Sequence, residues 1–166
     1  WCYFITGRIE RLKKEYDVSV RWRAFPLHPE TPEQGISIEQ LFAGRRVDMQ
    51  EMRRKMGKTA EDFGLPFRGS DKIYNSRLAQ ELGLWSESKN RGDEFHAAVF
   101  KAYFVDAKNI ASIPVLVELA SSVELPADEA AEILATGAFK AAVDADWALS
   151  KEKSITQKYN LILAYI

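Results

Sequence analysis

The sequence predicts an α/β chain in which a short helix-and-strand unit at the front carries a long stretch that is helical throughout. Three observations predict it. Ile5, Ile9, Leu12 and Tyr16 recur at helical spacing, with Arg8, Arg11, Lys13 and Lys14 on other faces, as one face of a 3.6-residue period requires. Val18, Val20, Trp22 and Ala24 then alternate with Ser19, Arg21, Arg23 and Phe25, the period of two that marks a half-buried strand. From Ser37 to Lys153 the apolar residues return to helical spacing, and no segment there reads as a strand.

The first helix closes at Tyr16-Asp17, and Pro26 ends the strand, because proline cannot donate to a ladder. Helix followed by strand suits a parallel βαβ unit whose first strand precedes Trp1. The single cysteine, Cys2, stands at the expected start of the first helix. A thiol there meets the positive end of the macrodipole and the free N–H groups of the first turn, and the thiolate is the reactive form of cysteine. The residues alone also fit a lone cysteine acting as a small buried hydrophobe.

Residues 26–35 hold three of the six prolines and read as an extended or turning connection. His28 lies here, either as a loop histidine bonded to backbone or as a groove residue near the thiol that can carry a proton. Ser37-Ile38-Glu39-Gln40 is a capping box, and the short helix after it, with Ile38, Leu41 and Phe42, stops at Gly44. Asp48 caps a helix carrying Met49, Met52 and Met56, read as gap-filling core, which breaks at Gly64-Leu65-Pro66. The basic residues Arg45, Arg46, Arg53, Arg54, Lys55 and Lys58 are interrupted by Asp48 and Glu51 and read as a solvated helix face.

A third helix is expected from Ile73 to about Ser88, with Leu78, Leu82 and Trp85 on one side. Asn75 near its start reads as a local hydrogen-bonding residue of the helix end, or as the lining of a substrate cleft. Asn90-Arg91-Gly92 is a turn, after which Asp93 starts a helix apolar over most of its circumference, the mark of a central helix. His96 on it reads as packed or surface-lying rather than catalytic. Residues 109–112 are a link, Pro114 suits a first helical turn, and Pro126 with Asp128 and Glu129 opens a helix that Gly137 ends. Phe139, Ala142, Val143 and Trp147 mark the last long helix, to about Lys153. Leu161 to Ile166 are strand-like and are expected to pair with Val18–Ala24 or to be the remnant of a hairpin.

A chain of 166 residues fits one domain with a real core. A net charge of −1 from 23 basic and 24 acidic residues gives no general pull toward nucleic acid or acidic lipid. No apolar run reaches the roughly 20 residues of a membrane span, so neither nucleic acid nor membrane is an expected partner. One cysteine excludes an intrachain disulfide in this chain. Neither His28 nor His96 has a second ligand at metal spacing, so no metal site is expected. No phosphate loop or G-x-G-x-x-G fingerprint is present.

Trp1-Cys2-Tyr3-Phe4 with Gly7-Arg8, followed by Arg21-Trp22-Arg23-Ala24-Phe25-Pro26-Leu27-His28-Pro29-Glu30, resembles the DsbA-like thioredoxin family. Within it the chain is most similar to the FrnE-type branch, related to 2-hydroxychromene-2-carboxylate isomerases and kappa-class glutathione transferases. The resemblance continues through Tyr74-Asn75-Ser76-Arg77-Leu78-Ala79, through Phe95 to Phe104, and through Asp144-Ala145-Asp146-Trp147. It implies a thioredoxin-like fold with a large all-helical insertion. Residues 1–36 are then the front half of the core, 37–153 the helical insertion and return helix, and 154–166 a C-terminal strand. The first strand and part of the C-terminal portion are expected to be missing from this sequence. The family continues after Thr156 with a Val-Pro-Thr-Phe type strand whose proline is cis, whereas this chain reads Gln157 to Ile166 without proline.

The resemblance implies thiol–disulfide exchange through a C-x-W-C motif of which Trp1-Cys2 are the last two residues. Cys2 is then the resolving thiol and the attacking cysteine lies two positions before Trp1. Trp1, Tyr3, Phe25, His28 and Asn75 are the expected substrate-binding residues, and the partner is a protein or small-molecule thiol or disulfide. No cofactor is expected in that reading, and a single sulfur cannot complete an intramolecular cycle, so the chain as it stands is expected to lack turnover. Two alternatives remain: a glutathione-dependent isomerase or transferase, with glutathione bound and Asn75 in the pocket, and a non-catalytic binding module with Cys2 in its core. A cytoplasmic location follows from the resemblance, since FrnE-like proteins generally lack export signals.

Overall fold

The computed structural model describes residues 2–44 and 46–155. In chain order the elements are α1 (Cys2–Glu15), β1 (Ile36–Ser37), α2 (Ile38–Leu41), α3 (Met49–Asp62), β2 (Lys72–Ile73), α4 (Arg77–Ser88), α5 (Gly92–Phe104), α6 (Ile113–Ser122), α7 (Ala127–Thr136) and α8 (Lys140–Glu152). β1 and β2 pair antiparallel, Ile36 opposite Ile73 and Ser37 opposite Lys72. Among the described residues the fold is mostly helical with one minimal sheet, as a large helical insertion requires.

Local chemistry sets the helix ends. The Ser37 hydroxyl accepts from the Gln40 N–H at 3.0 Å while the Gln40 side chain accepts from the Ser37 N–H at 3.0 Å, completing the capping box. Asp48 accepts from the N–H groups of Gln50 and Glu51 and starts α3. Pro114 sits in the first turn of α6. Gly137, at φ 64°, ends α7 in the left-handed region, where an L side chain is disfavoured.

The larger apolar core is built by the helical layer. Leu82 and Trp85 of α4, Phe95 and Ala102 of α5, Leu116 and Ala120 of α6, and Ala130 and Leu134 of α7 meet in it. A second cluster holds Tyr3 and Phe4 of α1 with Ala60 of α3, flanked by Phe63, Leu65, Phe67, Phe100 and Phe104. α5 contributes to both, Phe95 and Ala102 to the first and Phe100 and Phe104 to the second. Its nearly all-round apolar surface therefore marks a central helix.

Several expectations need correction. Residues 18–24 alternate as a strand does but form no ladder among the described residues. A strand needs a neighbour for its backbone groups, and this segment is instead tied down by side chains of the helices. The expected strand Leu161–Ile166 lies outside the described residues. Ser37 and Lys72-Ile73 are strand residues, not helix. The third helix begins at Arg77, because Ile73 is held in the β1–β2 pair and Ser76 takes the cap position. The apolar stripe of α1 is covered only in its first half: Ile9 is buried, whereas Leu12 is 46% and Tyr16 61% exposed. Of the methionines, Met56 packs on the second cluster, while Met49 and Met52 are only half-buried. Arg46, Arg53, Arg54, Lys55 and Lys58 are exposed, the solvated face the charge pattern predicts.

Candidate functional site

The first turn of α1 is fixed from the inside. Tyr3 and Phe4 are buried. The Tyr3 hydroxyl donates to the Pro66 carbonyl at 2.7 Å, and its ring stacks on Phe104 at 5.0 Å. Phe4 meets the edge of Phe67 at 5.4 Å. Burial raises the Tyr3 hydroxyl above its ordinary value, as desolvation of a phenolate must. Cys2 in the same turn is exposed, and the turn carries no acidic residue. The thiol therefore faces solvent from a rigid base, at the helix end where partial positive charge collects. Tyr3 does not shape an exposed rim, because its ring is the buried anchor of the turn. Trp1 lies outside the described residues.

An aromatic chain leads from this turn to Asn75. Phe104 touches Tyr3 on one side and Tyr103 on the other, the latter at 4.7 Å. Tyr103 meets Tyr74 at 6.3 Å, and its hydroxyl donates to the Lys72 carbonyl at 3.1 Å. Burial, with Tyr74 adding to it, pushes the Tyr103 hydroxyl up to about 12.

Asn75 works in both directions. Its carbonyl oxygen accepts from the Arg77 N–H at 2.9 Å at the start of α4. Its amide donates to the Pro29 and Thr31 carbonyls at 3.1 and 2.8 Å. It also lines an open cleft of about 540 Å³ with Pro29, Arg77, Glu81, Lys140 and Trp147. His28 sits in the loop so gripped, at φ 51°. Its carbonyl accepts from the Thr31 N–H at 3.0 Å, and its Nδ1 lies 3.4 Å from a Glu30 carboxylate oxygen. Phe25 is half-buried and lines a second cleft, about 390 Å³, with Pro26, Trp147, Ser150, Lys151 and Ile155. Phe25, His28 and Asn75 thus lie along one segment and its clamp.

Sequence reasoning assigned no role to Gln80, Arg77 or Asp146. Gln80 Nε2 donates to the Phe25 carbonyl at 2.8 Å and to the Ser76 hydroxyl at 2.9 Å, while its Oε1 accepts from the Trp147 indole N–H at 2.8 Å. Asp146 is buried; it accepts from the Ala24 N–H at 2.9 Å and from the Arg23 guanidinium at 2.7 Å. Arg77 lies over the Trp147 ring at 4.6 Å and pairs with Glu81 and Asp144. Burial alone would lower the Arg77 guanidinium, but the hydrogen bonds it donates to Glu81 and Asp144 outweigh that and hold it above its ordinary value. Among the described residues no group of three His, Cys, Asp or Glu side chains is gathered closely enough for a metal ion.

A DSBA-like thioredoxin domain matches residues 1–156 of this sequence. The chain belongs to the DSBA-like thioredoxin domain family. The uncharacterized protein YwbO of Bacillus subtilis is 27% identical over 130 residues, covering 75% of this chain and 61% of that protein. This DSBA-like chain thus spans less than two thirds of that relative's length. Among solved structures, a probable DsbA oxidoreductase from Streptomyces coelicolor superposes with a TM-score of 0.82 at 23% identity, over 92% of this chain and 70% of that one. A 2-hydroxychromene-2-carboxylate isomerase gives 0.72 at 15% identity, over 92% and 74%. These likenesses establish the thioredoxin-like DsbA fold. No helix among the described residues is long and apolar enough to cross a membrane.

Proposed function

We propose that this protein is a thiol–disulfide oxidoreductase of the DsbA type, in its FrnE-like branch, acting on a protein or small-molecule disulfide. One observation carries the reading: the exposed Cys2 thiol sits in a helical turn whose next two residues are buried and packed. A lone structural cysteine needs no such placement. In the exchange step the Cys2 thiolate attacks one sulfur of a disulfide. A new S–S bond forms at Cys2, the old one breaks, and the second sulfur leaves as thiolate and takes up a proton. With a partner cysteine two positions before Trp1, as the C-x-W-C pattern has it, Cys2 would instead resolve a mixed disulfide formed on that partner. Phe25, Pro26, Pro29 and Asn75 border the clefts in which the substrate would lie.

The reading is tested by treating the purified protein with glutathione disulfide and weighing it intact. A single glutathione adduct on Cys2, removed by reductant and absent in Cys2→Ser, is the expected result. A thiol that stays unmodified while iodoacetamide labels it only after denaturation would overturn the reading. A second reading, glutathione-dependent isomerisation, is favoured by the single sulfur, since such chemistry needs no cysteine pair. Tight, non-covalent glutathione binding that survives Cys2→Ser would select it.

A further inference from the structure

The segment from Arg23 to Thr31 has no strand beside it among the described residues, yet four of its backbone groups are taken by side chains. The Ala24 N–H goes to Asp146, the Phe25 carbonyl to Gln80, and the Pro29 and Thr31 carbonyls to Asn75. All three partners are side chains of α8, of α4 or of the residue pair that starts α4. Those two helices are in turn fixed to each other. Gln80 joins Trp147, Arg77 joins Asp144 and the Lys140 carbonyl, and the Arg77 guanidinium covers the Trp147 ring. Gln80 stands at the crossing. Each of its amide atoms is used, one toward the segment and Ser76, the other toward α8.

We propose that Gln80 is the positioning residue of a strap, residues 23–31, which the helical layer holds as one piece against the clefts lined by Phe25 and Asn75. A neutral amide suits the place. It must donate to a carbonyl and accept from an indole at once, and a glutamine amide does both without carrying charge. The strap's role in substrate binding rests on the thiol-exchange reading above; its being one mechanical piece does not.

Hydrogen exchange on the whole chain decides the second point. In Gln80→Leu the Trp147 indole loses its acceptor and the Phe25 carbonyl keeps only the Leu27 N–H. The Ala24 amide, which Gln80 does not touch, is expected to exchange about tenfold faster or more, as the loss of two hydrogen bonds from one opening unit implies. The core amides of α5 should keep their rates. Gln80→Glu keeps the acceptor for Trp147 and loses the donor for Phe25. It should therefore leave the Trp147 indole resonance near its place while the Ala24 amide still quickens, which covers the case of a Leu variant that does not fold. Asp146→Asn retains an acceptor for the Ala24 N–H and should exchange more slowly than Asp146→Ala. An Ala24 amide that keeps its rate in a folded Gln80→Leu or in Gln80→Glu would overturn the proposal, since the hooks would then act one by one. In the reaction of Cys2 with glutathione disulfide, Gln80→Leu should raise the half-saturating concentration several-fold and spare the limiting rate. If the unaltered protein does not react at all, the thiol-exchange reading fails while the exchange measurements still judge the strap.

Discussion

Tyr3 shows how a reactive residue is held by its neighbours. Its ring is buried and its hydroxyl donates to the Pro66 carbonyl. Tyr3→Phe removes the donor and leaves that carbonyl without it, so unfolding in urea should be easier by about 1 kcal/mol. Phe4→Ala empties a site that is 2% exposed and should cost about 3–5 kcal/mol by the same measurement. Cys2 was legible because a lone cysteine in an aromatic helix start is conspicuous, and Asn75 because a polar residue before a helix has a local job. Gln80 and Asp146 were not legible. A glutamine or aspartate within a helix leaves no periodic trace, and its partner is chosen by a segment more than 50 residues away.

Helices whose boundaries are set by their own residues were readable from the sequence. Asp48 starting α3 and Gly137 ending α7 are examples, since a cap or a left-handed glycine is a property of a few adjacent residues. Asp48→Ala should lower the stability of α3 by about 1 kcal/mol, seen as faster amide exchange at Gln50 and Glu51. Gly137→Ala makes only an ordinary contact, with the Lys140 Cβ at 3.8 Å, but must keep φ 64°, which for an L residue costs about 1–2 kcal/mol and should lower the unfolding temperature. The start of α4 and the segment 18–24 were misread for the opposite reason. Whether Ile73 is strand or helix depends on Ile36, and whether residues 18–24 are a strand depends on a neighbour elsewhere in the chain. Alternation reports which side chains are covered, and Trp22 is indeed covered, against His96 at 4.8 Å and Phe100 at 6.0 Å. It does not report a ladder.

At the scale of the whole molecule, Asp93 joins three parts of the chain. It pairs with Lys13 of α1 and accepts from the Trp22 indole N–H at 2.8 Å. Burial alone would raise its carboxyl, but the hydrogen bonds from Lys13 and Trp22 outweigh that and hold it below its ordinary 3.8. The folded chain therefore binds this proton less readily than the unfolded one. The stabilisation is complete above the ordinary value and is lost as the pH falls through the lowered one. Asp93→Asn should accordingly be less stable near neutrality and show a flatter fall in unfolding temperature as the pH drops below the ordinary 3.8. The helical layer as a whole was legible, because repeated 3.6-residue spacing is the strongest signal a sequence carries.

The burial of Tyr3 and Phe4 has a consequence for the order in which the chain is made. Both residues leave water only against Ala60, residues 63–67 and the end of α5, and the Tyr3 to Pro66 bond alone spans 63 positions. The α4–α5 and α6–α7 neighbours, by contrast, are adjacent in sequence and can close as soon as each pair exists. On a ribosome adding roughly 5–20 residues per second, the aromatic start of α1 emerges before Phe104 and waits several seconds, uncovered, for it. The turn that carries the thiol is thus synthesised well before the residues that enclose it, and its two aromatic side chains stay uncovered in the interval.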